Sequence, residues 1–314
     1  MKVIFIGTAE FGVPALEALV KSGGHEVAGI ITKPDRPAGR GMKERISPVK
    51  ERGLRYNIPL FQPEDINSCE AVGWISKKSP DAYLVVAYGQ IISSEVLGLV
   101  KYPVNLHGSL LPDYRGAAPI NWAVIKGEKR TGVTSMLMDR GMDTGPILLQ
   151  KEINIGRGET AGEVHDRLAN LGGEIIIPTL EGLELVTISP KPQPRRGTLA
   201  PKLSKEDGRI DWQDTSENIH NKVRGMNPWP GAFTYFADRL VKVHETRTGP
   251  PAERVDVVGK PGFIRGFTEK GILVETGGEE IIELIKLQPE SKQRMNGKEF
   301  SNGYGLSEGD FFGD

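Results

Sequence analysis

The stretch from Asn105 to Gly116, NLHGSLLPDYRG, sets Asn105, His107 and Ser109 two residues apart at the end of an apolar run. In a β-strand such residues share a face, with successive same-face Cα atoms about 6.5–7 Å apart. The spacing predicts that Asn105, His107 and Ser109 converge on one small functional group while Val104 and Leu106 face the core. A carboxylate able to join them is Asp143 in DRGMDTGPI, where Gly141 and Gly145 permit a tight turn beside a ligand. A carboxylate next to an imidazole sets the charge and orientation of the ring.

No nucleophile of the chain's own accompanies these groups. Ser109 lacks the glycines that a nucleophile elbow needs two residues to either side; those positions are His107 and Leu111. An amide, an imidazole and a carboxylate suit acyl transfer to an amine that the substrate supplies. The amine attacks a carbonyl, the Asn105 amide and a protonated His107 stabilise the oxyanion, and Asp143 receives the proton leaving the nitrogen.

Other chemistries lack their residues. Gly7 to Gly12, GTAEFG, has neither the middle glycine of a dinucleotide fingerprint nor the Lys-Ser/Thr of a phosphate loop, so its glycines read as a tight turn. His25, His165, His220 and His244 stand singly, without HExxH or paired Cys/His spacing, and no metal is expected. The insertion from Thr32 to Lys50 carries Lys33, Arg36, Arg40, Lys43 and Arg45 against Asp35 and Glu44. Following a strand end, it is expected over the same crevice as His107, where cations could grip phosphates. A second basic stretch, 189–209, holds four prolines and six Lys or Arg against two acids and reads as an extended connector.

The elements that must position these groups alternate through the first half of the chain. KVIFIG (2–7) is an apolar, β-branched run of the kind buried on both faces of a sheet, and VPALEALVKSGG follows with helical spacing and Pro14 in its first turn. Strands are predicted at 26–32, 81–89 and 104–107, and helices near 47–57, 66–78 and 118–126, with Arg115 and Gly116 as the turn into the last of these. That order implies a Rossmann-like, mostly parallel α/β sheet with helices on both faces, whose C-terminal strand ends open into the ligand crevice. GVTSMLMD (132–139) and PILLQKEINI (146–155) look like an antiparallel addition. A helix over about 160–186 is expected, with Thr160 and Glu163 as its capping box. Beyond the connector, one helix (SENIHNKVRGM) and the short runs AFTYF, LVKVHET, GFIRGF, GILVETG and EIIELIKL argue a small β-barrel or sandwich.

Forty Lys and Arg balance 41 Asp and Glu. The molecule as a whole therefore has no long-range field to draw in nucleic acid or an anionic membrane, and a polyanionic partner must be held by local patches. One cysteine, Cys69, excludes an internal disulfide and a multi-thiolate zinc site. The N-terminal apolar run is too short for a signal peptide or anchor, and a cytoplasmic protein is expected.

NLHGSLLPDYRGAAPINWAV together with MDRGMDTGPIL resembles the formyltransferases that use 10-formyltetrahydrofolate, whose signature is an Asn-x-His strand end, a Ser-Leu-Leu-Pro loop and a later Asp. The resemblance implies that Asn105, His107 and Asp143 are the catalytic trio, that Ser109, Leu110, Leu111 and Pro112 line the folate site, and that 10-formyltetrahydrofolate is co-substrate. Members formylate glycinamide ribonucleotide, amino sugars or the methionine on initiator tRNA, and others hydrolyse the donor. KPDRPAGRGMKERISPVK resembles the tRNA-contacting loop of the branch acting on methionyl-tRNA, which would put Arg40 at the acceptor-stem end with Lys33, Arg36 and Lys43 beside it. KLSKEDGRIDW and RGMNPWPGAF are similar to that branch's linker and to the start of its oligonucleotide-binding-type (OB-like) barrel. The implied activity is formyl transfer to the α-amine of initiator methionyl-tRNA, supporting translation initiation. The implied organisation is a catalytic domain over 1–188, a linker over 189–207 and a tRNA-binding domain over 208–314, and nothing in the sequence demands more than a monomer. Two rival classes keep part of the pattern: a sugar-nucleotide formyltransferase, which would not need the basic loop, and a non-catalytic tRNA- or folate-binding protein.

Overall fold

The computed structural model describes residues 1–38, 43–248, 260–278 and 280–313, with the backbone alone for 38 and 43–45. The chain divides into two compact units. The first comprises Met1–Pro119, Arg130–Asn154 and Val164–Pro201; the second comprises Ile120–Lys129, Ile155–Glu163 and Lys202–Asp314. The stretch expected as an extended connector is thus divided, with its first part, up to Pro201, built into the first unit.

The strands of the first unit are β1 (Lys2–Gly7), β2 (Glu26–Ile31), β3 (Arg36–Ala38), β4 (Lys43–Arg45), β5 (Leu60–Phe61), β6 (Ala82–Val86), β7 (Tyr102–His107), β8 (Arg115–Gly116), β9 (Arg130–Leu137), β10 (Ile147–Asn154) and β11 (Leu199–Ala200). Seven of them form one sheet in the order β10-β9-β7-β6-β1-β2-β5. The five from β5 to β7 are parallel, and β9 and β10 add antiparallel at the edge, as the short link between their runs predicts. The strand order reverses beside β1, so the switch point at which open α/β sheets bind ligands falls at the carboxyl ends of β1 and β6. Gly7 lies at that point for a steric reason: a Cβ there would stand 2.7 Å from the Val86 carbonyl oxygen.

In chain order, helices α1 (Val13–Lys21), α2 (Pro48–Arg55), α3 (Cys69–Lys78), α4 (Ser94–Leu97), α5 (Pro119–Ile125) and α6 (Ala161–Glu184) interleave with the strands, α5 from Ile120 on and the first turn of α6 belonging to the second unit. One sheet face, carrying Ile4, Ile6, Tyr83 and Val85, packs with Ile75 of α3 and Val96 of α4. By register, Phe5, Leu84, Val104 and Leu106 occupy the opposite face, where Leu106 meets Gly172 of α6 so closely that a Cβ would stand 2.6 Å from its Cδ2. Asn105 pairs with Val85 and therefore lies on the α3/α4 face, leaving Val104 and Leu106 to the core as the alternation predicts. The expected capping box also forms: Thr160 Oγ1 accepts from Glu163 N at 3.3 Å and Glu163 Oε2 accepts from Thr160 N at 2.8 Å.

The second unit holds a six-stranded antiparallel sheet. Its strands are β12 (Ala232–Phe236), β13 (Arg239–Thr248), β14 (Ile264–Phe267), β15 (Ile272–Thr276), β16 (Glu280–Pro289) and β17 (Met295–Asn296), in the order β12-β13-β16-β15-β14 with β17 pairing β16. Five of them follow the predicted runs, while β17 lies in none of them. Alternate residues such as Val241 and Val243, or Ile282 and Leu284, are buried, the pattern of a sheet covered on one face. Helix α7 (Ser216–Gly225) packs on β13, with His220 Nδ1 2.9 Å from Thr246 Oγ1. Helix α8 (Gly297–Tyr304), which no sequence signal had marked, closes the unit behind an Asn296–Glu299 capping box. No helix among the described residues is long and apolar enough to cross a membrane.

Candidate active site

Strand β7 carries Asn105 and His107 to the carboxyl end of the sheet and stops there. Ser109 lies past the strand, fully buried, with its Oγ donating to the Asp113 carbonyl at 2.6 Å. The predicted shared face therefore holds Asn105 and His107 but not Ser109, because a period-two face lasts only as long as the extended backbone. The serine hydroxyl is engaged in closing its own loop.

Asp143, in the turn between β9 and β10, has a left-handed backbone with φ of 54°. Such a conformation costs a residue with a side chain about 1–3 kcal/mol, so the surroundings must hold it. In it, Asp143 Oδ2 accepts from the Gly116 N–H at 2.8 Å and faces His107 Nδ1 at 3.6 Å, while Oδ1 accepts from Asn105 Nδ2 at 3.4 Å. The three residues singled out from the sequence thus meet around one carboxylate. Their surroundings are poor in water: the His107 and Asp143 side chains are 7% and 16% exposed.

The other imidazole nitrogen fixes the ring. His107 Nε2 lies 2.9 Å from the Tyr114 carbonyl oxygen, which can only accept, so Nε2 carries a hydrogen and Nδ1 is left to exchange a proton with the site. The contacts at 3.4 and 3.6 Å exceed the usual range of about 2.7–3.2 Å for such hydrogen bonds. The Asn105 amide is accordingly held only loosely by Asp143 and is available to an oxyanion, while the His107 ring keeps the orientation fixed through Nε2 and presents Nδ1.

The Ser-Leu-Leu-Pro loop is braced from β9 and β10. Thr134 Oγ1 donates to the Ser109 carbonyl at 2.7 Å and accepts from Leu111 N at 3.1 Å, and Gln150 Nε2 donates to the Leu111 carbonyl at 2.9 Å. Leu111 is buried and precedes a cis peptide bond to Pro112, while Leu110 and Pro112 remain half-buried.

Arg115 and Gly116 do not form the expected turn into a helix. They are strand β8, paired in parallel with Leu199 and Ala200 of β11. A local reading could not find this pairing, because the partner strand is supplied by the basic stretch more than eighty residues later. Gly116 has φ of 119°, and a Cβ there would stand 2.7 Å from the Ala200 carbonyl oxygen, so this site residue must be glycine. Thr198 and Gln193 of the same stretch also reach the site: Tyr114 N donates to Thr198 Oγ1 at 2.8 Å, and Gln193 Nε2 donates to the Asp143 carbonyl at 2.9 Å. Tyr88, just past β6, is a further buried group; its hydroxyl has no hydrogen-bond partner among the described residues, and burial pushes its phenol up to about 12.

Within the basic insertion β3 and β4 pair antiparallel, with Ala38 opposite Lys43. Lys33 Nζ donates to the Gly89 carbonyl at 2.9 Å, spanning the loops that follow β2 and β6. Arg36 is exposed and forms an ion pair with Glu64 at 3.2 Å. Asp35 binds Lys50, whose ammonium holds that carboxyl below the usual carboxylate range. Lys43 is described by its backbone alone, and Arg40 lies outside the described residues. No group of three or more His, Cys, Asp or Glu suited to a metal occurs among the described residues.

Residues 1–180 match the family model for formyl transferase. The chain belongs to the formyl transferase family. Residues 202–305 match the model for the C-terminal domain of formyl transferases, so the stretch bearing Gln193 and Thr198 falls between the two matches. The chain is similar to the methionyl-tRNA formyltransferase of Clostridium perfringens strain 13, with 46% identity over 96% of this chain and 97% of that one. Among solved structures, WlaRD, a sugar 3N-formyl transferase, has a TM-score of 0.66 at 19% identity over 93% of this chain and 99% of its own. HypX from Aquifex aeolicus, in complex with tetrahydrofolic acid, has a TM-score of 0.64 at 17% identity, with 100% of this chain covering 51% of HypX. This chain spans about half the length of HypX, and at such identities the likeness is one of fold.

Proposed function

We propose that this chain transfers the formyl group of 10-formyltetrahydrofolate to the α-amino group of initiator methionyl-tRNA, in the cytoplasm, as a step toward translation initiation. One observation carries the choice of acceptor: the identity to a methionyl-tRNA formyltransferase runs through both units, at 46% over 96% of the chain. The fold alone favours no acceptor, since a sugar formyl transferase shares it.

Asn105 and His107 act on the formyl carbonyl. The amine adds to the formyl carbon, the carbonyl oxygen takes the negative charge, and Asn105 Nδ2 and protonated His107 Nδ1 stabilise it. Asp143 orients the ring and receives the proton that leaves the attacking nitrogen. Collapse of the intermediate breaks the carbon–nitrogen bond to the folate, and tetrahydrofolate leaves with a proton. An α-amine has a pKa near about 8, so a useful fraction is neutral at neutral pH and a carboxylate suffices as acceptor. Support comes from the convergence of Asn105, His107 and the Gly116 N–H on Asp143.

Leu110, Leu111 and Pro112 form the wall on which the folate lies, and Ser109 acts by holding that loop closed. Arg36, Arg40 and Lys43 grip tRNA phosphates. Lys33 belongs to the same patch, although its ammonium already serves the Gly89 carbonyl. Functionally the division is a catalytic domain over 1–188, a basic linker over 189–207 and an OB-like tRNA-binding domain over 208–314, in a monomer. The bulges of β13 after Val243 and Glu245, which increase strand twist, support a curled, barrel-like sheet. The test offers the purified chain 10-formyltetrahydrofolate with either charged initiator tRNA or a nucleotide-linked amino sugar. Formylated methionine is expected; formylation of the sugar alone would overturn the reading.

A further inference from the structure

We propose that Gln193 is a positioning residue of the formyl-transfer site, acting through Asp143. The inference rests on the role given above to that carboxylate. Gln193 lies in the stretch matched by neither family model, and its half-buried amide joins two segments that are distant in sequence. Nε2 donates to the carbonyls of Asp143 at 2.9 Å and Gly145 at 2.7 Å. Oε1 accepts from Arg115 Nε at 3.2 Å and from its terminal NH2 at 2.8 Å. A primary amide has two hydrogens to give and two lone pairs to share, and here all are engaged.

Both ends of this bridge lead back to Asp143. At one end the hydrogen bonds hold the carbonyls on either side of Thr144, and with them the left-handed backbone from which Asp143 presents its carboxylate. At the other, Gln193 fixes the buried Arg115 side chain, which also donates to the Pro194 carbonyl at 3.0 Å. Arg115 stands between Tyr114, whose carbonyl takes His107 Nε2, and Gly116, whose N–H donates to Asp143 Oδ2. One side chain thus ties the Asp143 turn to the residues that hold the His107 ring and the Asp143 carboxylate. Glutamate has the same shape and would keep Arg115, but it has no hydrogens for the two carbonyls and would repel the Asp143 turn. A shift of about 1 Å in a catalytic group can cost about a hundredfold in rate.

The test uses the full chain with Gln193→Glu and, should that variant fold poorly, Gln193→Met. Formyl transfer is measured together with the imidazole nitrogen signals of His107, assigned by comparison with His107→Asn in histidine-labelled protein. Gln193→Glu is expected to lower kcat about a hundredfold while KM for either substrate stays within about twofold. The His107 signals should move toward those of Asp143→Asn, and in the Asp143→Asn background the same change should cost less than about threefold, because the two residues act as a unit. An unchanged kcat, equal losses in both backgrounds, or unmoved His107 signals would overturn the proposal. Should the wild-type chain leave methionyl-tRNA unformylated, the acceptor reading fails, while the His107 signals still decide the role of Gln193.

Discussion

Replacing Asp143 with Asn probes the site with the least change in shape. His107 Nδ1 and Asp143 Oδ2 are 3.6 Å apart, and both side chains are largely shielded from water. Coulomb's law at that distance, with an effective dielectric constant of about 20, gives about 4–5 kcal/mol of attraction between the carboxylate and an imidazolium. An asparagine dipole recovers part of this, so the protonated His107 that faces the oxyanion would lose about 3–4 kcal/mol of support, or about 10²–10³-fold in rate. Geometry adds to the loss. Asp143 accepts from Gly116 N through one oxygen and from Asn105 Nδ2 through the other, so any orientation of the new amide sets its NH2 against one of these donors. The assay is single-turnover transfer of labelled formyl, with enzyme in excess over charged tRNA so that product release does not intervene. Asp143→Asn should cut that rate about 10²–10³-fold and leave folate affinity within about threefold. Retention of more than about a tenth of wild-type rate would refute a charged role for Asp143.

Other perturbations follow from the same contacts. Gly116→Ala forces a side chain into φ of 119° and against the Ala200 carbonyl at 2.7 Å, so transfer activity should fall at least about a hundredfold as the Gly116 N–H leaves Asp143. Arg40→Ala should raise KM for methionyl-tRNA about tenfold without changing KM for 10-formyltetrahydrofolate, since a phosphate grip touches only one substrate; equal effects on both would count against a tRNA contact. Burial holds His220 and His244 below their ordinary 6.5, so the unfolded chain binds these protons more readily. Their contribution to stability is complete above 6.5 and is lost as pH falls toward the folded-state values, so the urea midpoint should drop between about pH 7 and pH 5. His244→Gln should flatten that fall, and an identical pH slope in the variant would exclude His244 as a contributor.

What the sequence disclosed is what local patterns encode. The buried runs, their helices, the antiparallel edge and the strands of the second unit follow from periodicity, and the end of β7 carries Asn105 and His107 because VNLH alternates. The same rule fails at Ser109, where the strand has ended and the hydroxyl turns to Asp113. It fails for Arg115 and Gly116 as well, whose strand exists only because Leu199 and Ala200 lie alongside. The Pro- and Arg-rich stretch read as a connector by composition, yet Gln193 and Thr198 within it supply hydrogen bonds to the Asp143 and Tyr114 segments. Contacts that close over fifty or more residues leave no mark in spacing, which is why the trio was legible and its braces were not.

In the proposed reaction Asn105, His107 and Asp143 together move a formyl group to the amine of methionyl-tRNA. Transfer of labelled formyl from 10-formyltetrahydrofolate to charged initiator tRNA, followed for the wild-type chain beside Asn105→Ala and His107→Asn, tests it most directly. Label is expected on the methionine α-amine with wild type, with a loss of about a hundredfold or more in each variant. Label that appears on an amino sugar and never on methionyl-tRNA, or variants that transfer at the wild-type rate, would contradict it.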